Sequence, residues 1–281
     1  MTTLAEFVYT RLLRPPLLRQ AANAILLSIV PETVRVGPAT VHLNPSDPVV
    51  SGALALRVFE RRELAFFMRS CRERMTVVDV GANVGVYTAL AMHLTGAKGT
   101  VVAIEPHDES RRFLRLTIKA NAATRTPAHV FGCAASDREG DAQLFVNPHN
   151  KADNRLYRSE ATQHAQSVPV QLRTIDAMLD ELGLFAVDVL KIDVQGSEFS
   201  AITGAAKTIR NSPGMVLISE FWPDGIRQAA ACAPERYLDL LRDLGLTLFQ
   251  LERKQLVPLV SDVMSRLTSG RYMNLIGIAK T

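Results

Sequence analysis

The segment Asp79-Val80-Gly81-Ala82-Asn83-Val84-Gly85-Val86-Tyr87 follows a β-branched run, Thr76-Val77-Val78, and leads into an apolar stretch with helical spacing. A strand that enters a helix through a glycine turn is a nucleotide-type site. The missing side chains let a ligand approach the backbone, and the helix start offers free N–H groups. A dinucleotide fingerprint beginning at Gly81 needs glycine at 83 and 86, where this chain has Asn83 and Val86. A pyrophosphate is therefore disfavoured, and Asp79 at the strand end would repel it. The same carboxylate suits the ammonium of an amino-acid moiety, such as the one S-adenosylmethionine carries beside its sulfonium. Twenty residues beyond Gly85, Glu105-Pro106 ends the next apolar run, where acidic residues of nucleotide folds accept ribose hydroxyls.

Two more acids end apolar runs, Asp193 and Glu220. At the carboxyl ends of strands they would meet in one crevice. There they could stabilise a cationic donor, act as general base on an acceptor hydroxyl, or hold Mg²⁺, which favours one or two carboxylates plus water. His149 and His164 are alternative bases because imidazole titrates in the useful range, whereas His93 and His129 sit in helix and strand patterns and read as structural. Lys191, on an apolar strand, is either an amine of lowered pKa or one paired with an acid. Asn150, Asp153, Asn154 and Arg155 form a polar run suited to binding the hydroxyls of a sugar, and Trp222 offers an aromatic platform for the acceptor.

The glycine turn and the later Lys191-Ile192-Asp193-Val194-Gln195-Gly196-Ser197-Glu198 together resemble the FkbM family of class I S-adenosylmethionine-dependent methyltransferases, whose pattern pairs D-x-G-A-N-x-G-x-Y with K-I-D-V-E-G-x-E. Ile104-Glu105-Pro106, Ala134-Ala135-Ser136-Asp137 and Arg173-Thr174-Ile175-Asp176 follow in the family's order, and the likeness runs from about residue 33 to 280. Gln195 departs from it, standing where the family usually has Glu. The resemblance implies a Rossmann-like α/β fold, its sheet mainly parallel with an antiparallel last strand. It implies a donor site of Asp79, Gly81, Asn83, Gly85, Tyr87, Glu105, Pro106 and Ala135. It also implies methylation of hydroxyls on carbohydrates or macrolide-type natural products.

These residues need a scaffold. Short β-branched runs alternate with helical segments from Met75 onward, which predicts βαβ units with strands at 76–80, 100–105, 128–134, 187–193 and 214–220. Helices are expected at 84–95, 108–122, 174–182 and 197–210, then a helix at 234–244 and strands at 246–251 and 272–279. An insertion at 140–170 contains a further strand, Ala142 to Val146, and a polar stretch from Asn147 to Gln166; loops that long are usually functional. Residues 1–74 read as a cap on a methyltransferase domain at 75–281, with helical spacing over Leu4–Val30, strands 33–36 and 40–43, and one helix over Ala53–Ser70. Insertion and cap are the segments free to select the acceptor.

The 281 residues are 47% hydrophobic and 21% charged, which describes a globular chain and excludes disorder. Residues 1–74 hold ten arginines against six acids, while the remainder is balanced. No basic run accompanies that excess, so no nucleic-acid partner is expected. Cys71, Cys133 and Cys232 are scattered without a CxxC pair, which argues against a disulfide framework or a zinc site. No apolar run reaches membrane-spanning length. Ala21 to Val30 imitates a signal peptide but has no small-x-small cleavage site behind it, so a cytoplasmic enzyme is expected. The rival functions are an RNA or protein methyltransferase, a nicotinamide-dependent oxidoreductase, and a binding protein without turnover.

Overall fold

The computed structural model describes residues 30–148, 150–159, 162–163, 165–252, 255–260, 263–267 and 270–280. The helical pattern over Leu4–Val30, apart from Val30, and both insertion histidines, His149 and His164, lie outside the described residues. The elements in chain order are β1 (Thr33–Val36), β2 (Ala39–His42), α1 (Pro48–Ala55), α2 (Arg61–Ser70), β3 (Thr76–Val80), α3 (Val86–Thr95), β4 (Thr100–Ile104), α4 (Asp108–Ala120) and β5 (Ala128–Phe131). Then come β6 (Ala134–Ala135), β7 (Gly140–Val146), β8 (Gln166–Arg173), α5 (Ile175–Glu181), β9 (Val189–Ile192), α6 (Glu198–Thr203), α7 (Ala206–Arg210) and β10 (Val216–Phe221). The chain ends with α8 (Pro223–Ala230), α9 (Glu235–Asp243), β11 (Leu246–Glu252), β12 (Gln255–Pro258), α10 (Val263–Arg266) and β13 (Met273–Ala279).

Eight strands form the central sheet in the order β12-β11-β13-β10-β9-β3-β4-β5. The pairs from β10 to β5 are parallel, and β13 is antiparallel to both neighbours. This is a Rossmann-like sheet, mainly parallel with an antiparallel last strand, as expected. After β3 the chain moves outward to β4 and β5 and returns on the other side at β9, so the crevice between β3 and β9 is a topological switch point.

The parallel strands are buried on both faces, as their near-continuous Val, Ile and Leu content requires. Val78, Val80, Leu190 and Leu217 face a cluster with Ile175, Ile202 and Leu241 of the helices. Val77, Val189 and Ile218 face the other side, where Ala39, Val41, Leu54 and Phe67 pack in one cluster with Val86 and Leu90 of α3. The segment from β1 to α2 thus shares its core with the sheet. The hairpin is also stitched to α4, since the Thr40 and His42 amides donate to Asn121 Oδ1 and Thr117 Oγ1, both at 3.0 Å. Cys71 and Cys133 are buried, with thiols pushed up by burial to about 12 and about 11, and the three cysteines are unbridged. No helix among the described residues is long and apolar enough to cross a membrane.

Four expected elements are corrected. The helix expected over Ala53–Ser70 is two helices, interrupted where Arg57 and Glu60 take positive φ. The helix over 197–210 breaks at Gly204, where a Cβ would sit 1.9 Å from the Ser136 carbonyl oxygen. The strand at 128–134 splits, because past Gly132 the chain leaves the central sheet to form β6 in a second sheet ordered β6-β8-β7. The polar stretch Asn147–Gln166 gives way at its end to the long strand β8, paired antiparallel along all of β7. The elements β12, α8 and α10 carry no periodic signal long enough to expect them.

Candidate active site

The turn after β3 is held by its neighbours. Gly81 and Ala82 amides donate to the Ile104 carbonyl at the end of β4, and the Asp193 amide donates to the Val80 carbonyl. A Cβ on Gly81 would lie 2.0 Å from the Asp193 carbonyl oxygen, and φ is +77° there, so glycine is required where two strand exits touch. Asn83 follows with φ 47°. Its amide donates to Glu105 Oε2 at 2.8 Å, and its own Oδ1 is buried without a partner.

A cavity of about 890 Å³, counted out to open solvent, lies over this turn. Gly81, Asn83, Tyr87, Glu105, Pro106, Ala135 and Asp193 line it. The Glu105 carboxylate also accepts from the His107 amide at 2.9 Å, and burial raises its pKa to about 7 despite those two amide donors.

Two residues of the expected donor site do not line the cavity. Gly85 does not line the cavity; it starts α3 at φ +88°, and a Cβ there would sit 2.7 Å from Leu114 Cδ1 of α4. Asp79 is fully buried behind the turn, accepting from Thr88 Oγ1 at 2.7 Å, with Lys191 Nζ 3.6 Å from its other oxygen. Asp79 and Lys191 are direct cross-strand partners in the β3/β9 register. They face the same side of the sheet, so their pairing follows from the strand order.

Of the two readings for Lys191, pairing holds. Burial works against the ammonium, but Asp79, Asp193 and Glu60 outweigh it and raise its pKa. Its Nζ is 3.9 Å from Asp193 Oδ2, 3.4 Å from the Gly81 carbonyl and 4.9 Å from the centre of the Tyr87 ring. Gln195 donates to the other Asp193 oxygen at 2.6 Å. The amide found where the family usually has Glu therefore orients Asp193 rather than repelling it.

Beside the donor cavity lies a second, acid-lined chamber containing Asp193, Glu220, Glu60 and Glu63 together with Tyr272 and Asn274; Asn274 pairs with Glu220 in the β10/β13 register and its Nδ2 donates to Glu63 Oε1. Glu60, Tyr87, Lys191 and Asp193 line both spaces. Asp193 and Glu220 thus do meet in one crevice, but Glu220 faces only the acidic chamber. Burial, then Asp193 and the other acids, raise the Glu220 carboxyl well above its ordinary value. Burial and Asp193 likewise raise Glu60 to about 7, and Tyr87 Oη donates to Glu60 at 2.6 Å. Among the described residues no group of three or more His, Cys, Asp or Glu is arranged to hold a metal ion, so nothing supports Mg²⁺ on Asp193 and Glu220.

Most of the insertion's polar side chains are engaged with the protein itself. Asp153 accepts from Arg155 Nε at 2.6 Å and from Asn147 Nδ2 at 3.0 Å, and Asn150 caps the short turn Lys151–Asp153. Arg155 is buried, and its guanidinium lies 4.6 Å from the centre of the Trp222 ring. Tyr157 Oη donates to the Gln195 carbonyl at 3.1 Å. These groups dock the insertion on the site. Of Asn150, Asp153, Asn154, Arg155 and Trp222, only Asn154 lines the donor cavity. It is joined there by Lys151, Leu144, Ala152 and Leu156, which sequence reasoning did not single out.

Sequence reasoning also missed Glu60, which comes from a left-handed turn of the cap, and Glu198, whose Oε1 accepts from the Val194 and Gly196 amides. The second Glu of the K-I-D-V-E-G-x-E pattern was the one available signal for Glu198.

Residues 79–247 match the methyltransferase FkbM domain family. This chain is an FkbM-family methyltransferase. As a member it is an S-adenosylmethionine-dependent enzyme. The chain is 25% identical over 195 residues to methyltransferase sdnD of Sordaria araneosa, covering 59% of this chain and 74% of that one. It is 27% identical over 208 residues to the 31-O-demethyl-FK506 methyltransferase FkbM of Streptomyces tacrolimicus, covering 63% and 77%. The crystal structure of methyltransferase FkbM from Methylobacillus flagellatus KT superposes with a TM-score of 0.44 at 16% identity; the likeness covers 93% of this chain, which spans 59% of that one.

Proposed function

We propose that this FkbM-family methyltransferase is an O-methyltransferase that acts on a hydroxyl of a small carbohydrate or natural-product acceptor. The observation that carries the reading is Asp193, which lines both the donor cavity and the acidic chamber. A carboxylate at that junction is within reach of donor and acceptor alike. The 31-O-demethyl-FK506 methyltransferase of Streptomyces tacrolimicus offers a precedent for a hydroxyl acceptor on a natural product.

The donor cavity fits S-adenosylmethionine on two counts: the unpartnered Asn83 Oδ1 is ready to accept from an ammonium, and the Glu105 carboxyl is placed to accept from ribose hydroxyls. S-adenosylmethionine supplies an electrophilic methyl group on a sulfonium. Asp193 takes the proton of the acceptor hydroxyl, and Lys191 with Gln195 fixes its orientation. Glu220 and Glu60, raised toward their protonated forms, can donate hydrogen bonds to neighbouring hydroxyls. Charge is lost rather than created in this transfer, so much of the rate comes from placing the oxygen. An acid-lined chamber is a poor seat for a phosphate backbone, which favours a small hydroxylated acceptor over RNA. His149 remains part of the proposal as an alternative base.

The test is a panel of hydroxylated acceptors with isotopically labelled donor. With an accepted compound, Asp193→Asn is expected to lower turnover by about 10²–10⁴-fold while adenosylhomocysteine affinity is retained. Undiminished turnover in that variant removes Asp193 as the base.

A further inference from the structure

A groove on the cap opens beside the donor cavity, and Phe59 lines both. Val36, Leu54 and Met68 give the groove an apolar wall, and Arg35, Arg57 and Arg61 stand around it. All three arginines are exposed. Arg35 donates to the Pro38 carbonyl at 3.0 Å, and the Arg57 and Arg61 side chains have no partner among the described residues. No carboxylate there forms an ion pair with any of the three. Among the described residues the rim of this apolar trough is therefore positive, and an anion seated there meets opposite charge.

We propose that this groove binds a phosphate ester of an aliphatic chain, with the phosphate held by the arginines and the chain laid along the apolar wall. Charge complementarity selects this occupant. A phosphate monoester carries roughly −1.5 to −2 at neutral pH and offers several acceptor oxygens, which suits a set of three guanidinium groups better than a single-charge group does. The chain's own residues 1–29 carry Arg11, Arg14 and Arg19 against Glu6, so they share the groove's sign and are the wrong charge to fill it. A methyl acceptor borne on such a carrier would lie next to the reacting centre, with Phe59 as the common wall. That role rests on the O-methyltransferase reading; the binding itself does not.

The experiment is calorimetric titration of the full chain with dodecyl phosphate below its micelle concentration. Octyl phosphate, inorganic phosphate, dodecyltrimethylammonium and phosphatidylglycerol vesicles are run alongside. Dodecyl phosphate is expected to bind, with affinity falling roughly fourfold for each buried methylene removed. Arg57→Glu and Arg35→Glu should each weaken it roughly tenfold or more, as expected for losing a charge-assisted contact. Adenosylhomocysteine affinity, measured on the same samples, should stay unchanged and shows that the variants are folded. Equal binding of inorganic phosphate overturns the groove, and equal binding of the ammonium detergent overturns the charge selection. Binding to vesicles alone means a membrane surface and overturns the proposal, as does unchanged affinity in both variants.

Discussion

Lys191→Met removes a charge while nearly conserving side-chain length, and it isolates Asp79. That aspartate is fully buried, its Oδ1 has no hydrogen bond, and among the described residues the Lys191 ammonium at 3.6 Å is its one cationic partner. At an effective dielectric constant of about 20, the attraction at that distance is about 4.6 kcal/mol. Losing one member of a buried pair costs about 3–5 kcal/mol in measured cases. The expected result in urea denaturation is therefore a loss of about 3–5 kcal/mol. Adding Asp79→Asn to Lys191→Met should recover most of the stability. A loss below about 1 kcal/mol, or no recovery in the double variant, refutes the pairing.

Gly85→Ala should cost about 1–3 kcal/mol in denaturant unfolding, since it combines positive φ with a contact to Leu114, while adenosylhomocysteine affinity of the folded protein holds. If affinity collapses at full stability, Gly85 binds the donor after all. Glu105 is raised to about 7, and ribose hydroxyls donating to it would favour the ionised form, so adenosylhomocysteine binding at pH 6.5 should release a proton. Calorimetry in two buffers of different ionisation enthalpy reads this directly. Asp47 at about 6, and Glu60, Glu105 and Glu198 at about 7, are all raised above their ordinary values. The folded apoprotein thus holds extra protons, and its melting temperature should fall as pH rises from about 4.5 through 7. Arg155→Ala should weaken adenosylhomocysteine binding as well as acceptor use, because Arg155 docks the insertion that roofs the donor cavity; unchanged donor affinity would count against that role.

What could be read from the sequence lies in short contiguous patterns. The run Val77 to Tyr87 shows strand, turn and helix together, and Glu105 and Asp193 end apolar runs whose parallel order places them in one crevice. What could not be read depends on a partner distant in the chain. Gly85 is required because Leu114 crosses it, and no local feature distinguishes that from ligand contact. Asp153 and Arg155 look like donors and acceptors for a sugar until their pairing to each other and to Trp222 is seen. Glu60 reaches the site from a cap turn in left-handed conformation, a geometry that a glutamate does not advertise. The helix breaks at 204 and in the cap have the same origin, since close backbone approach and positive φ arise from tertiary contacts that a periodic pattern does not encode.

Gln195 bears directly on how the site manages charge. The acidic chamber already gathers Asp193, Glu220, Glu60 and Glu63 around one buried ammonium. A glutamate in place of Gln195 would put another carboxyl 2.6 Å from Asp193 Oδ1, a separation at which both cannot be ionised. That competition would fall on the residue proposed as the base. The amide removes that competition: its N–H donates to one Asp193 oxygen while Lys191 faces the other. Burial meanwhile pushes Glu60 and Glu220 toward their neutral forms, and of the two carboxyls that border both spaces, Asp193 and Glu60, Asp193 is the one held between an amide and an ammonium. A sulfonium donor is attracted to that charge before transfer and loses the attraction as its methyl leaves. A large fixed negative field would therefore hold the ground state back, whereas one oriented carboxyl with neutral acids around it limits that penalty and leaves the proposed base in place.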